Sequence, residues 1–247
     1  MDIFDSAATF NGDYLWFYEA TFDDQRNQRE TAEALTLLQL DKGASILDAP
    51  CGHGRIANLL AAEGFNVTGI DITPLFLDRA TTDAKLLGVD VHYRHGDLRA
   101  LPVAGPFDAV LCWSTSFGYF DDHDNRKVLE QFASVLRPGG TLVLETLHHD
   151  GFVRTISDPP TAHTTERDSD SMTDTTTFDS ITGRIETTRT VRREGETRVS
   201  RHSVRVPTVP ELSAWLCDAG FTETRFTDRD GSPLRFDSWR LAAIATR

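Results

Sequence analysis

The sequence is short of positive charge, of lysine in particular, and of sulfur. Its 247 residues carry 25 Lys and Arg against 38 Asp and Glu, a formal net charge of −13. Lysine occurs only at Lys42, Lys85 and Lys127, so nearly all of the positive charge is arginine. A general binder of the phosphate backbone needs a basic face, so nucleic acid is not expected as a partner. The arginines of 184–205 alternate with Glu and Thr and read as exposed strand faces. Cys51, Cys112 and Cys217 stand far apart without CxxC spacing, which excludes a disulfide framework and a zinc knuckle. No metal site is expected. No apolar run approaches the length of a membrane span, and the opening MDIFDSAATF has neither a basic n-region nor an apolar h-region. The expectation is a cytoplasmic protein without a membrane partner.

What is present suffices for a core: 39% of the residues are hydrophobic, with 15 Phe and 4 Trp, which excludes a disordered or fibrous chain. Residues 28–40 carry apolar side chains at helical spacing and stop at Asp41-Lys42-Gly43. From there strands and helices alternate. Strands are expected at 45–49, 66–71, 90–94, 107–113 and 141–146, the last entered by a tight turn at Arg137–Gly140. Helices are expected at 55–63, from Thr73-Pro74, and up to Leu136. Such alternation implies right-handed βαβ crossovers and a mainly parallel sheet. The pattern breaks near residue 150. Residues 151–206 lack a helical period, are rich in Thr, Ser, Asp and Arg, and carry hairpin signals at 181–184 and 194–196. They read as an antiparallel insertion, with 155–175 its most mobile part. A helix at 210–219 and strands at 221–227 and 239–246 then close the chain. The expected fold is α/β, a doubly wound Rossmann-like seven-stranded sheet with a small antiparallel insertion after strand five.

The strongest local signal is Leu47-Asp48-Ala49-Pro50-Cys51-Gly52-His53-Gly54-Arg55, directly after the first strand and opening a helix. Gly52 and Gly54 allow a backbone to pass close to a bound molecule, and a helix N-terminus supplies free N–H groups. Asp71 ends the second strand, where an acid can take both hydroxyls of a ribose. These residues describe an adenosine site. A dinucleotide fingerprint needs a third glycine, and Asn58 stands in its place. Asp48 would repel a pyrophosphate but suits the ammonium and sulfonium side of S-adenosylmethionine.

Asp48–Gly54 resembles motif I of the class I S-adenosylmethionine-dependent methyltransferases, in a variant reading roughly LDxPCGxGR. Gly96-Asp97-Leu98 is similar to that family's adenine-contacting turn, and Leu136–Gly140 to its turn before strand five. The resemblance covers residues 28–147 well and the ending more loosely. It implies S-adenosyl-L-methionine as cofactor, held by Asp48, Ala49, Gly52, Gly54, Asp71, Ile72, Asp97, Leu98, Trp113 and Phe117. It implies a cofactor-binding domain of 28–150 and 207–247. It further implies an aromatic lid in 1–27, centred on Tyr14–Tyr18, and an insertion, 151–206, that caps the pocket.

Methyl transfer from a sulfonium requires an acceptor atom held in line with the departing sulfur. A neutral amine needs little base catalysis, whereas a hydroxyl usually needs a proton acceptor. Tyr14, Tyr18, His148 and His202 are the candidate catalytic side chains, with His149 and Arg205 beside them. Insertions of this kind resemble those of natural-product methyltransferases, so a small-molecule amine is the expected substrate. A small-molecule hydroxyl, a nicotinamide-dependent oxidoreductase and a non-catalytic adenosine-binding module are the alternatives. The sequence is compatible with a homo-oligomer and does not specify one.

Overall fold

The computed structural model describes residues 4–156, 160 and 162–247. A seven-stranded sheet organises the chain. Its strands are β1 (Ser45–Asp48), β2 (Asn66–Asp71), β3 (Val91–His95), β4 (Phe107–Cys112), β5 (Leu136–Leu147), β10 (Glu223–Thr227) and β11 (Arg240–Thr246), in the order β10-β11-β5-β4-β1-β2-β3. β1, β2, β3, β4 and β5 pair in parallel, and only β11 runs against its neighbours. The central strands are apolar on both faces because both faces are covered. Leu47, Val110, Leu142 and Leu144 pack on one side with Leu129, Phe132, Trp215 and Leu216. Ile46, Ala109, Leu111 and Val143 pack on the other with Ala34, Leu37 and Leu60.

Local chemistry sets the helix bounds. α3 (Asp24–Leu38) begins four residues earlier than its apolar spacing suggests, because the Asp23 side chain accepts from the Arg26 N–H at 2.7 Å. α4 (Ala57–Ala62) follows the β1 loop, and α5 (Pro74–Leu87) starts on Thr73-Pro74 and ends at Gly88 with φ +69°. α6 (Asp122–Val135) is capped by Asp121, and α8 (Val209–Asp218) by a Thr208/Glu211 capping box. β5 already begins at Leu136, where a turn was expected. Leu136 pairs with Phe107, the register then slips, and Thr141 pairs with Ala109. The Arg137–Gly140 stretch is therefore an irregularity inside the strand.

The remaining elements lie over the carboxyl edge of the sheet. Two short helices, α1 (Ser6–Thr9) and α2 (Gly12–Glu19), precede α3, and α7 (His149–Val153) follows β5. Residues 1–3 of the expected aromatic segment fall outside the described residues. The second sheet is a meander of β6 (Ala162–Arg167), β7 (Asp170–Asp179), β8 (Arg184–Arg193) and β9 (Glu196–Arg205), antiparallel throughout. Both expected hairpin turns are present. The stretch expected to be most mobile carries β6 and half of β7, while its residues 157–159 and 161 lie outside the described residues. Unbroken pairing with β8 and the buried ion pair of Arg189 with Asp174 at 2.7 Å tie β7 down.

Candidate active site

The parallel strands deliver their C-terminal residues to one edge, and an open cleft lies above it, the place where open α/β sheets bind ligands. β1 contributes Asp48, and β2 contributes Asp71. The turn after β3 contributes Asp97 and Leu98, and the end of β4 contributes Trp113, Ser114 and Ser116.

Asp71 is buried, and its carboxylate is oriented by the chain itself. One oxygen accepts the Gly52 N–H and the other the Thr73 N–H, both at 2.8 Å. A carboxylate oxygen accepts two hydrogen bonds, so each keeps a lone pair for a neighbouring diol. Asp48 lies on the adjacent strand. Burial pushes its pKa up to about 8, the Asp71 charge adds to the rise, and Arg55 and the Ala57 N–H oppose it. An acid held protonated near neutrality becomes a carboxylate when a cation is placed beside it.

Gly52 and Gly54 both have positive φ, +54° and +79°, yet they serve different ends. Among the described residues a Cβ on Gly52 would meet nothing within 4 Å, so this glycine borders open cleft. A Cβ on Gly54 would collide with Tyr93 and stand 2.7 Å from the Ala80 Cβ. Gly54 is required by packing of the loop on β3 and α5, and it does not line the cleft.

Of the residues expected to bind cofactor, Asp48, Gly52, Asp71, Ile72, Asp97, Leu98 and Trp113 line the cleft. Ala49 and Phe117 do not. Ala49 is fully buried with its N–H on the Leu111 carbonyl, and Phe117 packs into the core 6.4 Å from the Trp215 ring. Asp97 is partly committed: Arg99 donates to both of its oxygens. Although burial pushes the Asp97 carboxyl up, the Arg99 bonds outweigh it and hold the pKa low. Among the candidate catalytic residues only Tyr14 lines the cleft. Tyr18 stacks on it at 4.3 Å, one layer behind. His148 belongs to the protein interior, its Nδ1 held 3.0 Å from the Ser238 carbonyl oxygen. His202 sits on β9, with Nδ1 buried and without a hydrogen-bond partner among the described residues. His149 pairs with Asp150, and Arg205 with Glu211, so neither faces the cleft.

Sequence reading missed a buried ionic network beneath the cleft. Glu30 of α3 is fully buried, accepts from Arg26 and the Trp113 indole, and forms ion pairs with Arg55 and Arg229. Burial raises its pKa, but the three guanidinium groups override this and hold it at about 2. Arg55 also donates to Ser114 Oγ at 3.2 Å and covers the Phe22 ring at 4.5 Å. Ser114 and Thr115 both have left-handed backbones, φ +67° and +58°. They are held there by Glu145, whose side chain accepts the Ser114 N–H at 2.7 Å and whose carbonyl accepts that of Thr115. The roof is aromatic: Phe4, Phe10, Tyr14, Phe22, Phe76 and Tyr119. Burial pushes the Tyr14 and Tyr119 phenols up and lowers the His53 pKa to about 4. The one local signal for this network was Arg55, next to Gly54 in the loop motif.

A sheet of this order, with acids at adjacent strand ends beside an open glycine, defines a Rossmann-like α/β protein with a cleft at its carboxyl edge. Residues 46–140 match the family described as a methyltransferase domain. The chain is 34% identical over 130 residues to a glycine/sarcosine N-methyltransferase of Parasynechococcus marenigrum, covering 50% of this chain and 46% of that one. It is 36% identical over 110 residues to a ubiquinone biosynthesis O-methyltransferase of Xanthomonas axonopodis, covering 43% and 44%. The matched stretch spans about half the length of these curated relatives. In fold the chain is similar to a methyltransferase of Streptomyces caelestis, with TM-score 0.81 at 19% identity over 98% of both chains. It is also similar to an S-adenosylmethionine-bound amino pentose methyltransferase of Micromonospora echinaspora, with TM-score 0.67 at 20% identity over 95% and 96%. Residues 46–140 thus match a methyltransferase domain, and the chain as a whole shares the Rossmann-like fold of S-adenosylmethionine-dependent methyltransferases.

Proposed function

We propose that the protein transfers a methyl group from S-adenosylmethionine to a small-molecule acceptor, and that the accepting atom is an amine nitrogen. The observation that carries the cofactor reading is the pair Asp48 and Asp71 on adjacent strands, with the open face of Gly52 beside them. Asp71 would take the ribose hydroxyls on its two free lone pairs, and Asp48 the ammonium of the methionine part. Ile72 and Leu98 would flank the adenine. The aromatic roof suits a cationic sulfonium, and the donor set therefore fits the cofactor. Bound there, S-adenosylmethionine supplies an electrophilic methyl group.

The preference for nitrogen rests on proton chemistry. Removing a hydroxyl proton calls for a base with a pKa near the working pH. Asp48 has a pKa in that range but is taken by the ammonium of the cofactor; the rest of the cleft offers Tyr14 and Tyr119, which keep their protons, and His53, whose pKa of about 4 makes it a weak base. A neutral amine attacks without such help and can lose its proton to water afterwards. A hydroxyl acceptor is the second reading. It is favoured by the position of His53 in the cleft wall and by the relatedness to an O-methyltransferase. Incubation with methyl-labelled S-adenosylmethionine and matched amines and alcohols, read by mass spectrometry, separates the two. Label is expected on the amines, and label on the alcohols alone overturns the nitrogen assignment.

A further inference from the structure

We propose that the inner face of the four-stranded sheet is the distal part of the acceptor site, where Arg189 Nη1 and His202 Nδ1 hold a neutral hydroxyl or carbonyl oxygen of the acceptor. This rests on the methyltransferase reading and extends it to the substrate class: an amine that also carries such an oxygen.

Arg189 lies on β8 and is only 6% exposed. Two arms of its guanidinium are committed, Nε to Asp174 Oδ1 at 2.8 Å and Nη2 to Asp174 Oδ2 at 2.7 Å. The third nitrogen, Nη1, is buried and has no hydrogen-bond partner among the described residues. The ladder pairs Thr187 with His202 and Asp174 with Arg189. Thr187 and Arg189 are two residues apart on one strand, so His202 shares the face of Arg189. Its Nδ1 is likewise buried and without a hydrogen-bond partner among the described residues. A buried polar nitrogen left unpaired costs about 1–3 kcal/mol. An oxygen of a ligand placed against this face would satisfy both nitrogens.

The patch adjoins the cleft. Tyr14 and Tyr119 line the cleft, and the charge of Arg189 acts on both phenols. The Arg189 Cζ is 5.8 Å from the Tyr14 ring centre and 5.6 Å from that of Tyr18, the far end of the range for a cation–π contact. The rings wall the guanidinium without satisfying its free N–H. The charge balance selects the ligand. Asp174 already neutralises Arg189, and burial with the nearby Arg189 charge lowers the His202 pKa to about 4, so the imidazole is neutral. No net positive charge is left to attract a carboxylate. A fixed N–H beside a nitrogen that can donate or accept suits a hydroxyl or carbonyl.

The test uses the full chain, labelled S-adenosylmethionine and two matched amine pairs: ethanolamine against ethylamine, and 2-amino-1,3-propanediol against isopropylamine. The wild type is expected to favour the hydroxylated member by about tenfold in kcat/KM, as one to two hydrogen bonds allow. His202→Phe is expected to reduce that preference to about twofold while leaving S-adenosylhomocysteine affinity unchanged within about threefold. Removing Arg189 alone strands Asp174 in the interior, so the paired variant Arg189→Met/Asp174→Leu is the second probe, with the same expected loss. A preference that survives both variants overturns the subsite. So does a wild type that shows no preference, or that binds S-adenosylhomocysteine and methylates neither member of a pair. A wild type that fails to bind S-adenosylhomocysteine overturns the underlying methyltransferase reading instead.

Discussion

Asp48 and Asp71 end adjacent strands, and their environments set them different tasks. Asp71 is stabilised by two backbone N–H groups and keeps a lone pair on each oxygen. Asp71→Ala should therefore weaken S-adenosylhomocysteine binding at least about tenfold, the equivalent of charged hydrogen bonds worth roughly 1.5–3 kcal/mol. Helical circular dichroism should stay normal, and unchanged affinity would remove Asp71 from the site. Asp48 keeps its proton to about pH 8 in the folded chain but loses it near 3.8 when unfolded. The folded state thus binds more protons across that window, and this contribution to stability is lost as pH rises from about 4 through about 8. Asp48→Asn should flatten the fall in melting temperature over that range. If an ammonium settles beside Asp48, ligand binding at pH 7 should release protons. Calorimetry in two buffers of different ionisation heat would detect the release in the wild type and not in Asp48→Asn. Equal release in both would assign the protons elsewhere. The place of Asp48, Gly52 and Asp71 in the cleft wall was legible in the sequence because each belongs to a strand end or loop with its own local pattern. Gly54 was misread because its constraint comes from Tyr93 and Ala80, which no local pattern reveals. His148 and Phe117 were misplaced for the same reason: their partners, Ser238 and Trp215, are remote in sequence.

At the scale of elements, the N-terminal aromatic run divides over two faces of α2. Phe17 is fully buried with Met172 of β7 and Val191 of β8, while Tyr14 faces the cleft. Asp13 adds ion pairs to Arg193 and Arg198. α2 therefore joins the cleft roof to the four-stranded sheet. Phe17→Ala should cost about 3–5 kcal/mol in chemical unfolding, the range for an aromatic removed from a packed interior. Tyr14→Phe should leave stability within about 0.5 kcal/mol, as expected where no buried hydrogen bond is lost, and should change the kinetics of methyl transfer. Similar stability losses for both would place Tyr14 in the core with Phe17. The sequence marked this stretch as aromatic but gave no helical signal, and α2 has apolar side chains all round. The same limit applies to β6 and β7. Their Thr- and Asp-rich strands look unstructured in isolation, and only the partner strand and the Arg189–Asp174 pair reveal the order.

For the whole molecule, the strand order and the shared carboxyl edge gather residues from across the chain into one cleft. The alternation of elements made that architecture legible, because a helix between two strands admits few topologies. The ionic network was not legible, since Glu30, Arg55 and Arg229 meet only once α3, the β1 loop and the segment after β10 have packed. The excess of acidic residues agrees with a cleft that attracts a cationic ligand and not a pyrophosphate. Isothermal titration of the full chain with S-adenosylhomocysteine, and separately with NAD, tests the central claim most directly. The account expects one site that takes S-adenosylhomocysteine and gives no heat with NAD. Binding of NAD with none of S-adenosylhomocysteine would contradict it.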